Sequence, residues 1–114
     1  MIIDITQNLS IADDYKIINS FIKRSIGLMF SKPKNLIFIF KNNKTKSGII
    51  IHTIFVFYTI NILMLDFNKR VVEKVRLRPF SFYVPKHNFC YMIELANVNE
   101  CKLNKVKIGD RISW

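Results

Sequence analysis

The uncharged stretch GIIIHTIFVFYTINILML, residues 48–65, decides the fold class of this 114-residue chain. A membrane-spanning helix needs about 20 predominantly apolar residues, so the stretch is at the short limit for a span. A lipid-facing helix would also have to hide His52, Thr59 and Asn61 from the bilayer. Basic residues flank the stretch on both sides, which gives a span no preferred orientation. We therefore predict that residues 48–65 do not cross a membrane.

The composition of the same stretch favours β-strands. Its apolar residues are mainly Ile, Val and Phe, and only two are Leu. β-branched and aromatic side chains suit a pleated strand better than a helix. We predict one strand over residues 49–57 and another over residues 60–65, with a bend at Tyr58 and Thr59. Because the run is apolar on both faces, it indicates a central strand that is covered on both sides.

Further strands are predicted on either side of this centre. Short strands are predicted at residues 3–6, where apolar and polar side chains alternate, and at residues 8–12, 36–40, 71–77, 80–84, 89–95 and 108–114. Pro79 and Pro85 bracket residues 80–84, which indicates an edge-type strand there. Residues 66–70, DFNKR, are typical of a hairpin turn. About eight or nine short strands of this kind predict a mainly β single domain over residues 1–114, a compact antiparallel barrel- or jelly-roll-like sandwich.

One helix is predicted near the start of the chain. Residues 15–26 place apolar side chains at helical spacing. Asp13 or Asp14 can cap the first turn, and Gly27 can end the helix in the left-handed conformation. We expect the apolar stripe of this helix to pack in the core. Residues 97–104 are ambiguous, and one helical turn is an alternative there.

The charge balance is strongly basic, with 18 Lys and Arg against 8 Asp and Glu and a net charge of +10. A basic surface can attract nucleic acid, acidic lipid or anionic metabolites. Direct nucleic-acid binding also needs a placed aromatic platform or an element that enters a groove, and the sequence alone does not place one. An anionic ligand or nucleic acid is therefore a subsidiary hypothesis for the partner.

The cysteine content and the start of the chain bear on the compartment. Cys90 and Cys101 are too few for a disulfide framework and are typical of a reducing compartment, although a single disulfide between them stays open. Residues 1–15 contain three acids and no basic start, which is unlike a secretory signal. We therefore expect a cytoplasmic protein.

Several segments follow one another in a recognisable order. They are RSIGLMF (24–30), LIFIF (36–40), the run from Ile51 to Asp66, KRVVE (69–73), RPFSFYVPK (78–86), IEL (93–95) and IGDRI (108–112). Together they resemble the domain of unknown function 192 family, most closely its archaeal single-domain members. The resemblance spans nearly the whole chain and implies a compact, mainly antiparallel β-domain with one early helix. It implies no reaction, ligand or cofactor.

The sequence departs from the family pattern in its central stretch. HTIFVF, beginning at His52, stands where bacterial relatives have a Trp-Met-Lys-Asn type of tract. Thr59 and Asn61 stand where relatives have Pro and Asp. Since an amide cannot ionise, Asn61 would be a poor replacement for a base or a metal ligand. Either this position is structural, or the chain has lost a function that relatives keep.

Metal and nucleophile chemistry find little support in the sequence. His87 and Cys90 are three positions apart and would point to opposite faces of a strand, and no Cys-x-x-Cys pair is present. Cys90 lies in an apolar run, where burial would raise the pKa of its thiol and make it less reactive. The three glycines are far apart and form no phosphate-binding loop. We predict no metal site and no cofactor.

The family-motif positions most worth testing are Arg24, His52, Asn61, Glu94 and Asp110. Glu94 lies in the hydrophobic segment IEL, where a carboxylate needs a partner or has a raised pKa. Arg24 or Arg111 can supply that partner in a structural ion pair, and catalysis is the alternative. Asp110 is more simply a turn residue that binds its own backbone.

Three hypotheses for the function follow. The leading one is a non-catalytic ligand-binding or interaction module. The second is a small hydrolase- or lyase-like enzyme that uses Glu94 with His52 or Asp110, which requires those side chains to converge in one pocket. The third is a nucleic-acid or anionic-surface binder that acts through the basic face of the domain.

Overall fold

The computed structural model describes residues 1–18, 32–40, 51–53 and 56–114 of the chain. These residues form ten strands and one short helix, which confirms the predicted mainly β fold. In chain order the elements are β1 (Ile2–Asp4), β2 (Leu9–Ala12), β3 (Lys16–Ile18), β4 (Asn35–Ile39), β5 (Ile51–His52), β6 (Ile60–Leu65), β7 (Val71–Leu77), β8 (Phe82–Tyr83), β9 (Tyr91–Leu95), α1 (Glu100–Leu103) and β10 (Ile112–Ser113).

The strands form three sheets. The main sheet has the order β3-β4-β9-β6-β7, and the two smaller sheets have the orders β10-β1-β2 and β5-β8. All neighbouring strands are antiparallel except β3 and β4, which are parallel. All six residues of β6 are buried, and β6 lies between β9 and β7. The second half of the uncharged stretch is therefore the covered strand that its sequence predicts.

Each face of the main sheet packs against a separate core. The first core lies between the main sheet, the β10-β1-β2 sheet and α1, and its members include Ile37, Leu63, Ile93, Ile2 and Leu103. The second core lies on the opposite face, towards the β5-β8 sheet, and its members include Phe38, Ile62, Met92, Ile51 and Phe89. Alternate residues of β6 enter the two cores because successive side chains of a strand point to opposite faces. The result is a layered, sandwich-like arrangement.

The predicted turn at residues 66–70 joins β6 to β7. Oδ1 of Asp66 accepts hydrogen bonds from the amides of Asn68 (2.9 Å) and Arg70 (3.0 Å). Lys69 has a φ of 63°, and its Nζ lies 4.0 Å from the centroid of the Trp114 ring. The hairpin turn is therefore stabilised by its own first residue and is held against the last residue of the chain.

Helix α1 is short but well tied to the sheet. Oδ1 of its N-cap, Asn99, accepts hydrogen bonds from the amides of Cys101 (2.8 Å) and Lys102 (3.3 Å). At its other end, Nζ of Lys74 on β7 donates to the carbonyl oxygens of Leu103 (2.8 Å) and Val106 (2.9 Å). A lysine that satisfies the last carbonyls of a helix also complements its dipole.

The structure corrects the predicted early helix. Residues 16–18 form β3, which pairs with β4, and do not form a first helical turn. An apolar spacing as short as that from Tyr15 to Ile18 does not separate helix from strand, and the pairing with β4 decides between them. The rest of the predicted helix, residues 19–27, lies outside the described residues.

Two other predictions also change. Of the strand predicted at residues 49–57, the described part contains β5 only, since Val56 and Phe57 lie outside any strand. The pairing of the two cysteines that the sequence leaves open is not formed, and Cys90 is buried whereas Cys101 is exposed. Within the part of the chain described above, we find no helix with the length and apolar character that a bilayer span requires.

Candidate functional site

The most exposed apolar surface around the β5-β8 sheet consists of four side chains, which we call the aromatic face. Its members and their exposed fractions are Phe57 (64%), Phe80 (52%), Phe82 (65%) and Val84 (60%). The rings of Phe57 and Phe80 are in edge-to-face contact, with centroids 5.6 Å apart and planes at 71°. Scattered single exposed apolar residues are ordinary on protein surfaces, whereas a group of them around one small sheet indicates a binding surface.

Thr53, which is fully buried, organises the backbone beneath the aromatic face. Its Oγ1 donates to the carbonyl of Arg78 (2.7 Å) and accepts from the amide of Ser81 (2.6 Å). Its own carbonyl accepts from the amides of Phe80 (2.9 Å) and Val56 (3.1 Å). Phe80 has a φ of 56°, a left-handed conformation that costs a non-glycine residue roughly 1–2 kcal/mol. The hydrogen bonds to Thr53 help to offset that cost.

Glu73 on β7 anchors the segment that follows the face. Its buried carboxylate accepts hydrogen bonds from the Tyr83 hydroxyl and from the amides of Lys86 (2.9 Å) and His87 (3.0 Å). Nδ1 of His87 also lies 3.0 Å from Oε1 of Glu73. Tyr83 turns inward between the exposed Phe82 and Val84, so one carboxylate fixes the strand that presents both.

The charge state of Glu73 follows from these contacts. Burial opposes its ionisation, but the hydrogen bonds from Tyr83, His87 and the two amides outweigh burial and place the pKa of Glu73 below its ordinary value. Burial and the bond to Glu73 raise the pKa of Tyr83 to about 12. The anchor is therefore an ionised carboxylate whose acceptor positions are occupied.

The surroundings of the aromatic face are basic. Between residues 67 and 99 the chain has only two carboxylates, Glu73 and Glu94, and both are buried. The exposed cations Arg78 and Lys86 stand just before and just after the segment that carries Phe80, Phe82 and Val84. No exposed carboxylate of this part of the chain opposes their positive potential.

The sequence-predicted Glu94 lies on β9 and faces the second core. It is 7% exposed, and its neighbours across the sheet are Leu36 on β4 and Ile62 on β6. Burial raises the pKa of Glu94 to about 7. Its Oε2 has no hydrogen-bond partner among the described residues. Burial and the nearby charge of Glu94 together raise the pKa of Tyr58.

His52 and Asn61 occupy different environments. His52 is half-buried on β5 opposite Phe82, and its Nδ1 has no partner in the ranges that the structure covers. Asn61 is buried on β6, and its Nδ2 donates to Oε1 of Glu100 on α1 (3.0 Å). Asn61 therefore ties the main sheet to α1, on the side of the first core. Arg24, the remaining family-motif position, lies outside the described residues.

Asp110 forms a carboxyl pair with Asp4. Asp4 is fully buried, and burial together with its hydrogen bond to Asp110 raises the pKa of Asp4 to about 6. For Asp110, burial is outweighed by hydrogen bonds from Asp4, the Lys107 amide and Gln7, so its pKa is lowered. Nε2 of Gln7 donates to Oδ2 of Asp110 (2.5 Å) and lies 3.5 Å from Oδ2 of Asp4. As the pH falls, Asp4 is therefore the member of the pair that takes up a proton first.

The predicted catalytic combination of Glu94 with Asp110 is not brought together. Glu94 faces the second core, whereas Asp110 lies on the side of the first core beside β1. The described part of the chain also contains no group of three or more His, Cys, Asp or Glu side chains that could hold a metal ion. Glu94 and Asp110 therefore do not form one site.

Sequence reasoning missed the aromatic face. It treated residues 80–84 as an edge-type strand between two prolines and did not consider which side chains would stay exposed. A signal was present, because Phe80, Phe82 and Val84 alternate with Ser81 and Tyr83. Alternation alone does not say which side of a strand meets solvent, so the pairing of β8 with β5 was needed.

Curated relatives of the chain are archaeal. A UPF0127 protein of Pyrococcus horikoshii is 36% identical over 114 residues, which cover 100% of this chain and 98% of the relative. A UPF0127 protein of Pyrococcus furiosus is 31% identical over 112 residues, 98% of this chain and 96% of the relative. No family model matches the chain. The resemblance to the domain of unknown function 192 family therefore stays a prediction, while kinship with these archaeal proteins is shown.

Two solved structures share the fold. A protein of unknown function from Novosphingobium aromaticivorans has a TM-score of 0.70 at 14% identity and covers 88% of this chain and 74% of its own. A Sinorhizobium meliloti protein has a TM-score of 0.72 at 18% identity, with coverages of 87% and 79%. At these identities the likeness extends to the fold alone.

Proposed function

Because this chain belongs to the UPF0127 family, whose name specifies no reaction, we propose from its own geometry that it is a non-catalytic binding module. The aromatic face of Phe57, Phe80, Phe82 and Val84 is its binding surface. The observation that carries this proposal is the placement of four largely exposed apolar side chains around one two-stranded sheet.

Preorganisation supports the proposal. Thr53 fixes the turn that holds Phe80, and Glu73 fixes the strand that holds Phe82 and Val84. A surface that is already ordered loses less conformational freedom on binding, which leaves more of the contact energy for affinity. Solvent exposure of aromatic rings is unfavourable for the free domain, so a rigid aromatic face is best explained by a partner that covers it.

The titratable groups fit a binding module better than an enzyme. The carboxylate of Glu73 already accepts hydrogen bonds from the segment after the face, and the carboxyl groups of Asp4 and Asp110 are hydrogen-bonded to each other. A general base must reach the proton that it abstracts, and a carboxylate that already accepts several hydrogen bonds is poorly placed to do so.

A second candidate function is a hydrolase- or lyase-like enzyme built on Glu94 and His52. One observation favours it, because Oε2 of Glu94 and Nδ1 of His52 are both buried without a hydrogen-bond partner in the described residues. If the two side chains share a site, Glu94→Gln changes the NMR chemical shifts of the His52 ring. Unchanged ring shifts remove this candidate.

The binding module is tested by a thermal-shift panel with a matched pair of variants. Phe82→Ser removes a ring from the aromatic face, whereas Phe67→Ser removes a similarly exposed ring from the β6-β7 turn. The panel contains oligonucleotides, sulfated glycans, acidic peptides and phosphatidylserine vesicles, since a ligand that binds only the folded state raises Tm. We expect at least one ligand to raise Tm of the natural chain and of Phe67→Ser, and to raise Tm of Phe82→Ser clearly less. Equal responses of the two variants to every ligand would refute the proposal.

A further inference from the structure

We infer that the aromatic face binds single-stranded nucleic acid, through base stacking on its phenylalanine rings and phosphate contacts with the cations beside it. This inference rests on the proposed function and names the occupant of the same surface. The rings of the face and the cations beside it favour an anionic polymer that carries flat apolar groups.

The rings supply the stacking part of the interaction. Phe57, Phe80 and Phe82 are each more than half exposed. Phe82 lies on β8, and Phe80, in edge-to-face contact with Phe57, lies in the turn before β8 that Thr53 holds. Exposed aromatic rings on a sheet are a general platform for unpaired bases, because every base has a π-face that can stack on them. The sequence alone could not place such a platform, and the pairing of β5 with β8 does.

The spacing of the side chains favours single strands over duplexes. In extended backbone, residues two apart, such as Phe80 and Phe82, are separated by up to roughly 6.6 Å. Bases within a duplex are stacked at about 3.4 Å and have their faces covered by their neighbours. Only a strand whose bases have separated from one another can present a free base face to each of these side chains.

Charge complementarity supports a nucleic acid. Arg78 and Lys86 are exposed at the two ends of the segment that carries the face, and Glu73 and Glu94, the only carboxylates between residues 67 and 99, are buried. A phosphate backbone that follows the segment would meet a cation at each end and no exposed carboxylate between them. Single-strand binding proteins combine a positive surface with stacking rings in this way.

The same observations fit a lipid surface less well. Segments that insert into the membrane interface are typically amphipathic helices, or carry Trp and Tyr whose polar atoms reach the headgroups. The aromatic face lies on a short sheet, and its exposed members are Phe and Val only. A membrane is therefore kept as an outcome of the test.

The test is fluorescence anisotropy with a labelled oligo(dT) of roughly 12 nucleotides, compared with a duplex of the same length. We expect the single strand to bind at least 5-fold more tightly than the duplex. Phe82→Ser should weaken single-strand binding by about 5-fold or more, the effect of losing one stacked base, while Phe67→Ser binds like the natural chain. Arg78→Gln should reduce the slope of log K against log salt by about 0.7, the value for one phosphate contact on a single strand.

The outcomes separate this inference from the proposed function. Equal affinity for single strand and duplex, or equal affinity of Phe82→Ser and Phe67→Ser for the single strand, overturns the inference. If vesicles of phosphatidylcholine and phosphatidylserine, or an acidic peptide, bind in a manner that requires Phe82 while oligo(dT) does not, the inference fails and the binding module stands. If no probe distinguishes the two variants, both fail. Should Phe82→Ser not fold, as judged by circular dichroism, Phe57→Ser takes its place.

Discussion

Glu73 and Glu94 show how local contacts, and not burial alone, decide the charge of a carboxyl group. Both residues expose little surface, at 6% and 7%, although Glu94 lies deeper in the protein than Glu73. The pKa of Glu73 is lowered because the Tyr83 hydroxyl, His87 and two amides hydrogen-bond to the carboxylate. The pKa of Glu94 is raised to about 7 because burial acts on it without such donors among the described residues.

Glu94→Gln is expected to change the pH dependence of stability. The raised pKa favours the folded state below the ordinary value of 4.5, and that contribution is lost as pH rises through about 7. The natural chain should therefore lose stability between pH 5 and pH 8.5 while the variant loses less. At pH 8.5 we expect the variant to be more stable by about 1–3 kcal/mol in urea denaturation. A variant less stable than the natural chain at pH 8.5 would contradict this and would favour the ion pair with Arg24 that the sequence suggested.

Replacing Asp4 or Asp110 by Asn is expected to have opposite effects on stability at pH 8. Asp4 has a raised pKa, so its contribution is lost as pH rises through about 6. Asp110 has a lowered pKa, so its contribution is present at neutral pH and is lost only in acid. We expect Asp4→Asn to be at least as stable as the natural chain at pH 8, and Asp110→Asn to be less stable by about 1–3 kcal/mol. Thermal denaturation of both variants at pH 5 and pH 8 checks this. If Asp4→Asn were the less stable variant at pH 8, the assignment of the raised pKa to Asp4 would be refuted.

At the residue scale, the surroundings of a single side chain could be predicted from the sequence, but contacts between residues distant in the chain could not. The hydrophobic segment around Glu94 predicted a partner or a raised pKa, and the structure gives the raised pKa. Asp110 was predicted to bind its own turn, and its Oδ2 accepts from the Lys107 amide. Its partner Asp4 could not be predicted, because the two meet only through the pairing of β1 with β10 at opposite ends of the chain.

At the scale of elements, the aromatic face depends on β8, a strand of two residues. Such a strand has little stability of its own, since an isolated two-stranded sheet is marginal in water. It is held from one side by the hydrogen bonds of Thr53 and from the other by the carboxylate of Glu73. The position of the face is therefore set by two buried polar side chains.

Glu73→Gln is expected to loosen this segment locally. The amide keeps one acceptor oxygen but loses the charge that strengthens the bonds from Tyr83, Lys86 and His87. Amide hydrogen exchange at Lys86 and His87 should become about 10-fold faster or more, which corresponds to about 1.4 kcal/mol. Glu100→Gln, at an exposed carboxylate on α1, is the control and should leave these amides unchanged. Unchanged exchange in Glu73→Gln would show that the carboxylate does not anchor the segment.

Strand boundaries were predictable where the signal was local. Residues 60–65 were predicted as a strand and form β6, because their apolar side chains suit both cores. Residues 16–18 were predicted as helix and form β3, because parallel pairing with β4 depends on a part of the chain that is distant in sequence. The pairing of β5 with β8, which creates the aromatic face, is another distant pairing that local periodicity does not encode.

At the scale of the whole molecule, the exposed acids lie on one side of the main sheet, and Asp66, which is half-buried, lies in the β6-β7 turn. Four of the eight carboxylates are buried, namely Asp4, Glu73, Glu94 and Asp110. The exposed acids Asp13, Asp14 and Glu100 follow β2 or begin α1, and those two elements pack together on the side of the first core. The aromatic face lies towards the second core, so the exposed acids are kept away from it. A net charge of +10 predicts an anionic partner, and the position of the exposed acids predicts that this partner binds at the aromatic face.

The most direct test of this account is to map oligo(dT) binding on the chain by two-dimensional NMR. We expect the amide signals of residues 51–53, 57, 80–84 and 86 to shift on titration, while those of residues 9–14 and 97–104 stay in place. The Phe82→Ser variant should need about 5-fold more oligo(dT) or more to reach these shifts, and the Phe67→Ser variant should titrate like the natural chain. Shifts confined to residues 9–14 and 97–104, with residues 80–86 unaffected, would contradict the assignment of the aromatic face as the binding surface.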